Sequence, residues 1–161
     1  MTEKFSALLN QLNISYEVFY HPALITADDA DLYGVIRPGA RVKHLFLRDN
    51  YGRRHFLYIL PYDKQVDLKI LSKEYQISRL GFASTERLQT YLQTERGSVS
   101  FLSIINDKEN AVELWFDKSL QHGEKLQCIV NGTTQTWVIR MEDILQVAHH
   151  TNHKINWISE G

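Results

Sequence analysis

Residues 41–60 read RVKHLFLRDNYGRRHFLYIL. Two runs of extended character, 41–48 and 55–60, flank Asp-Asn-Tyr-Gly, a pattern that predicts a β-hairpin. Lys43 is the anomaly. Side chains alternate faces along a strand, so Lys43 shares a face with Leu45 and Leu47. Two readings are open. A lysine near a strand end can stretch its ammonium along its own stem to water. Alternatively the ammonium stands at the rim of a pocket, facing an anionic or polar substrate.

The flanking sequence predicts the rest of an α+β domain. Phe5, Leu8, Leu9 and Leu12 fall at helical spacing, and residues 15–21 alternate like a strand. Thr26 is a suitable N-cap for a short acidic helix that ends at Gly34. Helices are expected at 67–75, at 85–93 behind a Ser84 cap, and at 141–150. Strands are expected at 79–83, 98–106, 111–117, 124–130 and 134–140. Asn131-Gly132 is a strong turn signal between the last two, because both central residues of a type I′ turn need positive φ. Short turns and mixed element order point to a mainly antiparallel or mixed sheet surrounded by helices.

The chain has 161 residues, enough for one domain with one core, and no proline- or glycine-rich linker divides it. Residues 1–161 are read as a single domain and 151–161 as its flexible tail. The 18 Lys and Arg against 19 Asp and Glu give a net charge of −1, unlike a protein that coats a nucleic-acid backbone. No recognisable helix-turn-helix is present, so no DNA partner is expected. No apolar run is long enough to span a bilayer, so no membrane partner is expected either. The N-terminus lacks the apolar core of a secretory signal, and the single cysteine, Cys128, permits no internal disulfide; a cytoplasmic location is expected. Cys128 sits in an apolar stretch and reads as a core thiol. Charge is nevertheless uneven: Arg37, Arg41, Lys43, Arg48, Arg53 and Arg54 face only Asp49 within residues 37–54.

Common catalytic signatures are absent: no phosphate-binding loop, no GxSxG, no HExxH. His149, His150 and His153 have no carboxylate or cysteine close by in sequence and read as a polar tail, not a metal site. Asp28, Asp29 and Asp31 complement a helix dipole. Two loops remain. One is RGSVSFLSIIND (96–107), where Gly97 leaves backbone N–H groups accessible and Asn106 and Asp107 close the segment. The other is LPYDKQVDLK (60–69).

HPALITADDA, VKHLFLRD, LPYDKQVDLKIL, RLGFASTERL, GSVSFLSIIND and LWFDKSL occur in this order from His21 onward. Together they resemble the YbaK-type aminoacyl-tRNA editing domains, also known as the prolyl-tRNA synthetase-associated domain fold, whose sheet is partly barrel-like. The resemblance is nearest to the free-standing, alanine-removing prolyl-tRNA editing proteins. It implies a trans-editing deacylase for Ala-tRNA(Pro), with the aminoacylated CCA end of tRNA as partner and prolyl-tRNA synthetase as a further partner. It implies neither metal nor organic cofactor. Lys43 matches the family's essential lysine, and Gly97 opens the loop whose backbone holds the ester carbonyl, together with Ser98 and Val99. Thr26, Phe101, Asn106, Asp107 and Asn131 are carried over as substrate-binding positions. Two departures stand out. Phe101 replaces the loop's usual proline, and Ile129 and Val130 replace a histidine–proline pair before Asn131. Both make the pocket more apolar. The alternatives are the same fold acting on Ser-, Thr- or Cys-charged tRNA, and a non-catalytic module that binds aminoacyl-tRNA or a synthetase.

Overall fold

The computed structural model describes residues 2–22, 39–130 and 134–159. The chain runs through α1 (Thr2–Gln11), β1 (Glu17–Tyr20), β2 (Ala40–Arg48), β3 (His55–Pro61), α2 (Leu68–Glu74), β4 (Gly81–Phe82) and α3 (Thr85–Leu92). A 3₁₀ helix (Phe101–Asn106) leads into β5 (Val112–Asp117), β6 (Lys125–Val130), β7 (Gln135–Arg140), α4 (Met141–His150) and β8 (Ile155–Ile158).

The predicted hairpin forms, with register from Val42 opposite Pro61 to Arg48 opposite His55. Asp49 builds its turn: Oδ1 accepts the amides of Arg53 (2.8 Å) and Arg54 (3.2 Å), and Gly52 supplies a φ of +67°. β3 has β2 on one edge and β5, in parallel, on the other. Both of its faces are covered, so His55–Leu60 is buried throughout and its sequence is continuously apolar rather than alternating.

The strands form one mixed sheet in the order β1-β7-β6-β2-β3-β5-β8, with β4 attached to β2. The α+β class is as expected, and the sheet is open, with β1 and β8 at its ends. β2 joins its two halves. Ala40 and Arg41 pair with β6, and Leu47 and Arg48 pair with β4. Between them, residues 42–46 have no strand partner on that edge among the described residues.

Alternation along β3 separates two cores. Leu57 and Ile59 join Phe46, Leu114, Phe116 and Leu102 on one face, together with α4 residues Ile144 and Val147. Phe56, Tyr58 and Leu60 join Leu47, Leu71 and Trp115 on the other. Cys128 lies in the first core, as expected, and burial pushes its thiol up to about 12.

Two expectations are corrected. Residues 98–106 are not a strand. Ser100 Oγ accepts the Leu102 amide and Ser103 Oγ accepts the Ser100 amide, a capping arrangement that winds Phe101–Asn106 into the 3₁₀ helix. Nor do residues 151–158 form a tail. Leu114–Asp117 of β5 pair in parallel with β8, and His153 is buried. The Thr26-capped helix and the Asn131-Gly132 turn lie outside the described residues, although β6 and β7 pair antiparallel as a hairpin would.

Candidate active site

The gap along β2 is the wall of a cavity. It has a volume of about 580 Å³ and is lined by residues 42–46, by Phe82 and Ala83, by Leu88 of α3, and by Arg96, Gly97 and Val99. That volume suits a small-molecule site. Ala83 N donates to Phe46 O (2.9 Å), so the backbone polar groups of Phe46 face this edge. By strand alternation those of Val42 and His44 face it too. The cavity therefore offers main-chain donors and acceptors as well as side chains.

Lys43 and Gly97 line this cavity from opposite elements. Lys43 is half-buried, and its ammonium makes no ion pair or hydrogen bond with the described residues. On the neighbouring position, burial holds the His44 imidazole down at about 4, so it is neutral at physiological pH. Among the described residues, His44 Nε2 is the buried side-chain nitrogen or oxygen without a hydrogen-bond partner. The interior wall is apolar: Phe46, Ala83 and Leu88 are buried. The rim is open to water: Phe82 is 62% exposed, and Arg96 and Gly97 are also exposed.

The loop that carries Gly97 is tied at both ends. Asn106 Nδ2 donates to Leu92 O (2.9 Å) at the end of α3, and Asn106 Oδ1 accepts Lys4 Nζ (2.5 Å) from α1. Within the loop, Gln93 and Gly97 take φ of +53° and +90°. The Ser98 amide is spent on Glu95 O (3.0 Å), so Gly97 and Val99 are the two of the three expected carbonyl-binding positions whose N–H groups stay unbonded among the described residues.

Several expected pocket residues serve the frame instead. Phe101 is fully buried against Phe116, so it shapes the core rather than the loop. Asn106 braces the Gly97 loop from behind. Asp107 accepts the amides of Ala111 (2.9 Å) and Val112 (2.8 Å) and the His153 Nε2–H (2.8 Å). None of the three lines the cavity. Thr26 and Asn131 lie outside the described residues. The basic segment is also largely engaged. Arg41 packs over the Tyr62 ring at 3.7 Å, Arg48 donates to the Asp49 carbonyl, and Arg54 makes two 2.9 Å bonds to Glu113. Sequence reasoning missed His44, Phe82 and Arg96 as cavity residues. The parity of β2, which puts His44 with Phe46, was the available signal for the first.

Residues 21–147 match the aminoacyl-tRNA editing domain family. The chain belongs to that family. Editing domains act on the ester that joins a wrong amino acid to tRNA, so this chain is an aminoacyl-tRNA deacylase, and the cavity lies wholly within the matched residues. Among its relatives, the prolyl-tRNA editing protein ProX of Acetoanaerobium sticklandii is 34% identical over 141 residues, 88% of this chain and 86% of that protein. The prolyl-tRNA synthetase associated domain-containing protein 1 of Mus musculus is 27% identical over 149 residues, 90% of this chain and 88% of that one. The crystal structure of a candidate trans-editing enzyme for prolyl tRNA synthetase shares this editing-domain fold. It has a TM-score of 0.70 and 17% identity, and the match covers 99% of this chain and 96% of that chain. No helix of the described residues is long and apolar enough to cross a membrane.

Proposed function

We propose that this chain hydrolyses alanyl-tRNA(Pro) in trans, clearing the product that prolyl-tRNA synthetase mischarges. The observation that carries this reading is the shared cavity of Lys43 and Gly97, apolar within and open at its rim. The names of the relatives supply the prolyl connection. A synthetase pocket built for proline cannot strongly exclude the smaller alanine, because a missing methylene is worth only about 1–3 kcal/mol. A second site that takes the smaller side chain removes the error.

The chemistry asked of the protein is modest, because an aminoacyl ester is already activated. The apolar wall of Val42, Phe46, Ala83 and Leu88 receives the alanine methyl. The Gly97 and Val99 N–H groups are the candidate donors to the oxyanion that develops as water attacks the ester carbonyl. Gly97 takes a positive φ, a backbone conformation that favours glycine. Lys43 supplies positive charge at the same site and orients the terminal nucleotide or the aminoacyl group. Water's oxygen forms the new bond to the carbonyl carbon, the ester C–O bond breaks, and the ribose hydroxyl leaves with a proton.

The test is a deacylation panel: proline tRNA charged with alanine, serine, threonine, cysteine or proline, against wild type and Lys43→Ala. Wild type should clear the alanyl species fastest, and Lys43→Ala should lose about 100-fold, the scale of one lost transition-state contact. If every ester decays as it does in buffer, the proposal is wrong. Clearance by Lys43→Ala as fast as by wild type would remove Lys43 from the mechanism, and binding of the charged tRNA without turnover would leave a binding module.

A further inference from the structure

The cavity has a polarity of its own. Its inner wall is buried and aliphatic, and its mouth carries an exposed aromatic ring, Phe82, and an exposed cation, Arg96. Leu80 and Ala83 on either side of β4 are buried, whereas the Phe82 ring is 62% open to water. β4 is only two residues long, yet it is fixed. Phe82 stands opposite Leu47, and the next amide, Ala83 N, bonds Phe46 O at 2.9 Å. The ring is thus held on a rigid backbone at the rim, with no described aromatic partner against it.

We propose that Phe82 is the stacking platform for the terminal base of the acceptor end, with Arg96, which lines the same cavity, taking a backbone phosphate. The inference rests on the deacylase reading and adds to it the nucleoside subsite. An amino acid that enters the aliphatic end leaves its ribose at the level of Lys43 and Gly97 and its base at the rim. Single-stranded ends are recognised by stacking unpaired bases on aromatic faces, each contact being worth about 1–3 kcal/mol. Stacking fixes the base without reading its sequence, which suits an end that every tRNA shares. Phe82 is a binding residue here and touches none of the reacting atoms.

The experiment is a protein–RNA mutant cycle. Wild type, Phe82→Ala and Phe82→Trp are assayed on alanyl acceptor-stem microhelices that end in adenosine or in an abasic ribose. Phe82→Ala should raise KM between about 5- and 150-fold on the adenosine substrate with kcat little changed. Phe82→Trp should restore it. On the abasic substrate, wild type and Phe82→Ala should be equal. An equal loss on both substrates, or an unchanged KM, overturns the proposal. A second readout does not depend on turnover. A microhelix that ends in 2-aminopurine, with a non-hydrolysable 3′-alanylamide, should be quenched on binding to wild type and not by Phe82→Ala. If no ester is hydrolysed but this Phe82-dependent quenching persists, the stacking subsite stands and the deacylase reading falls. If binding leaves the fluorescence unchanged, the subsite falls. Arg96→Gln should lower the slope of log affinity against log salt by about 0.7, the value for one single-strand phosphate contact.

Discussion

Replacing Asp107 with alanine should cost the domain stability while sparing its chemistry. The carboxylate is buried and accepts three bonds: the Ala111 amide at 2.9 Å, the Val112 amide at 2.8 Å and His153 Nε2–H at 2.8 Å. Those bonds hold the start of β5 against the turn that leads into β8. Truncation strands two buried donors, the Val112 amide and His153 Nε2–H, each of which costs about 1–3 kcal/mol unpaired, and releases the part-buried Ala111 amide as well. We expect a loss of about 3–5 kcal/mol in urea unfolding and, for a domain of this size, a Tm lower by about 6–20 °C. His153→Leu should cost less in the Asp107→Ala background than in wild type, because its partner is already gone. The acid limb gives a further signature. Burial alone would push the Asp107 carboxyl up, but the hydrogen bonds from His153, Ala111 and Val112 outweigh it and hold the group below its usual range. A depressed carboxylate stabilises the fold above its unfolded pKa of about 3.9, and that contribution is lost as pH falls through the folded value. The variant should therefore lack this part of the acid-induced loss. At 25 °C its kcat/KM should stay within about twofold of wild type. A stability loss below about 1 kcal/mol, or a collapse in activity with stability intact, would refute the assignment of Asp107 to the frame.

Other outcomes follow from the same geometry. Gly97→Ala meets no atom within 4 Å of its new Cβ, so its cost is the positive φ alone, about 1–2 kcal/mol, read as a weaker KM once the loop relaxes. Asn106→Ala releases the bonds to Leu92 O and Lys4, and it should lower urea stability by about 2 kcal/mol and raise protease cutting in residues 93–100. His44 is held down at about 4 by burial, so the unfolded state binds its proton first and the fold loses stability as pH falls from about 6.5 toward 4. His44→Leu should flatten that slope in denaturation curves taken across the range. Cys128, buried with its thiol pushed up to about 12, should stay unmodified by a thiol reagent at pH 8 until the protein unfolds.

The hairpin at 41–60 was legible because its signals are local: an Asx turn, a glycine able to take positive φ, and two apolar runs. The same holds for α3, whose Ser84 Oγ accepts the Arg87 amide as its position predicts. Residues 98–106 misled because SVSFLSIIN is as apolar as a core strand. What decides its shape is a pair of serines three residues apart that bond each other's backbone, with almost every side chain in the turn buried. β8 was missed for a different reason. Its four residues follow a histidine-rich, polar stretch and form a strand only because β5 offers an edge distant in sequence. The site divides in the same way. The pairing of Lys43 with Gly97 came through a resemblance to known sequences. Asn106 and Asp107 were misplaced, because a polar residue that braces a loop from behind has the same composition as one that faces a ligand. Phe82 carries no sequence mark that separates it from a core phenylalanine.

The five residues of β2 that have no strand partner on this edge among the described residues have a consequence for self-association. An exposed strand edge normally invites a second strand, and chains blunt such edges to stay monomeric. Here the opening is about 17 Å long and stoppered at either end by β6 and β4. A nucleotide-sized guest fits between the stoppers, whereas an intruding polypeptide would have to displace one of them before it could lie down.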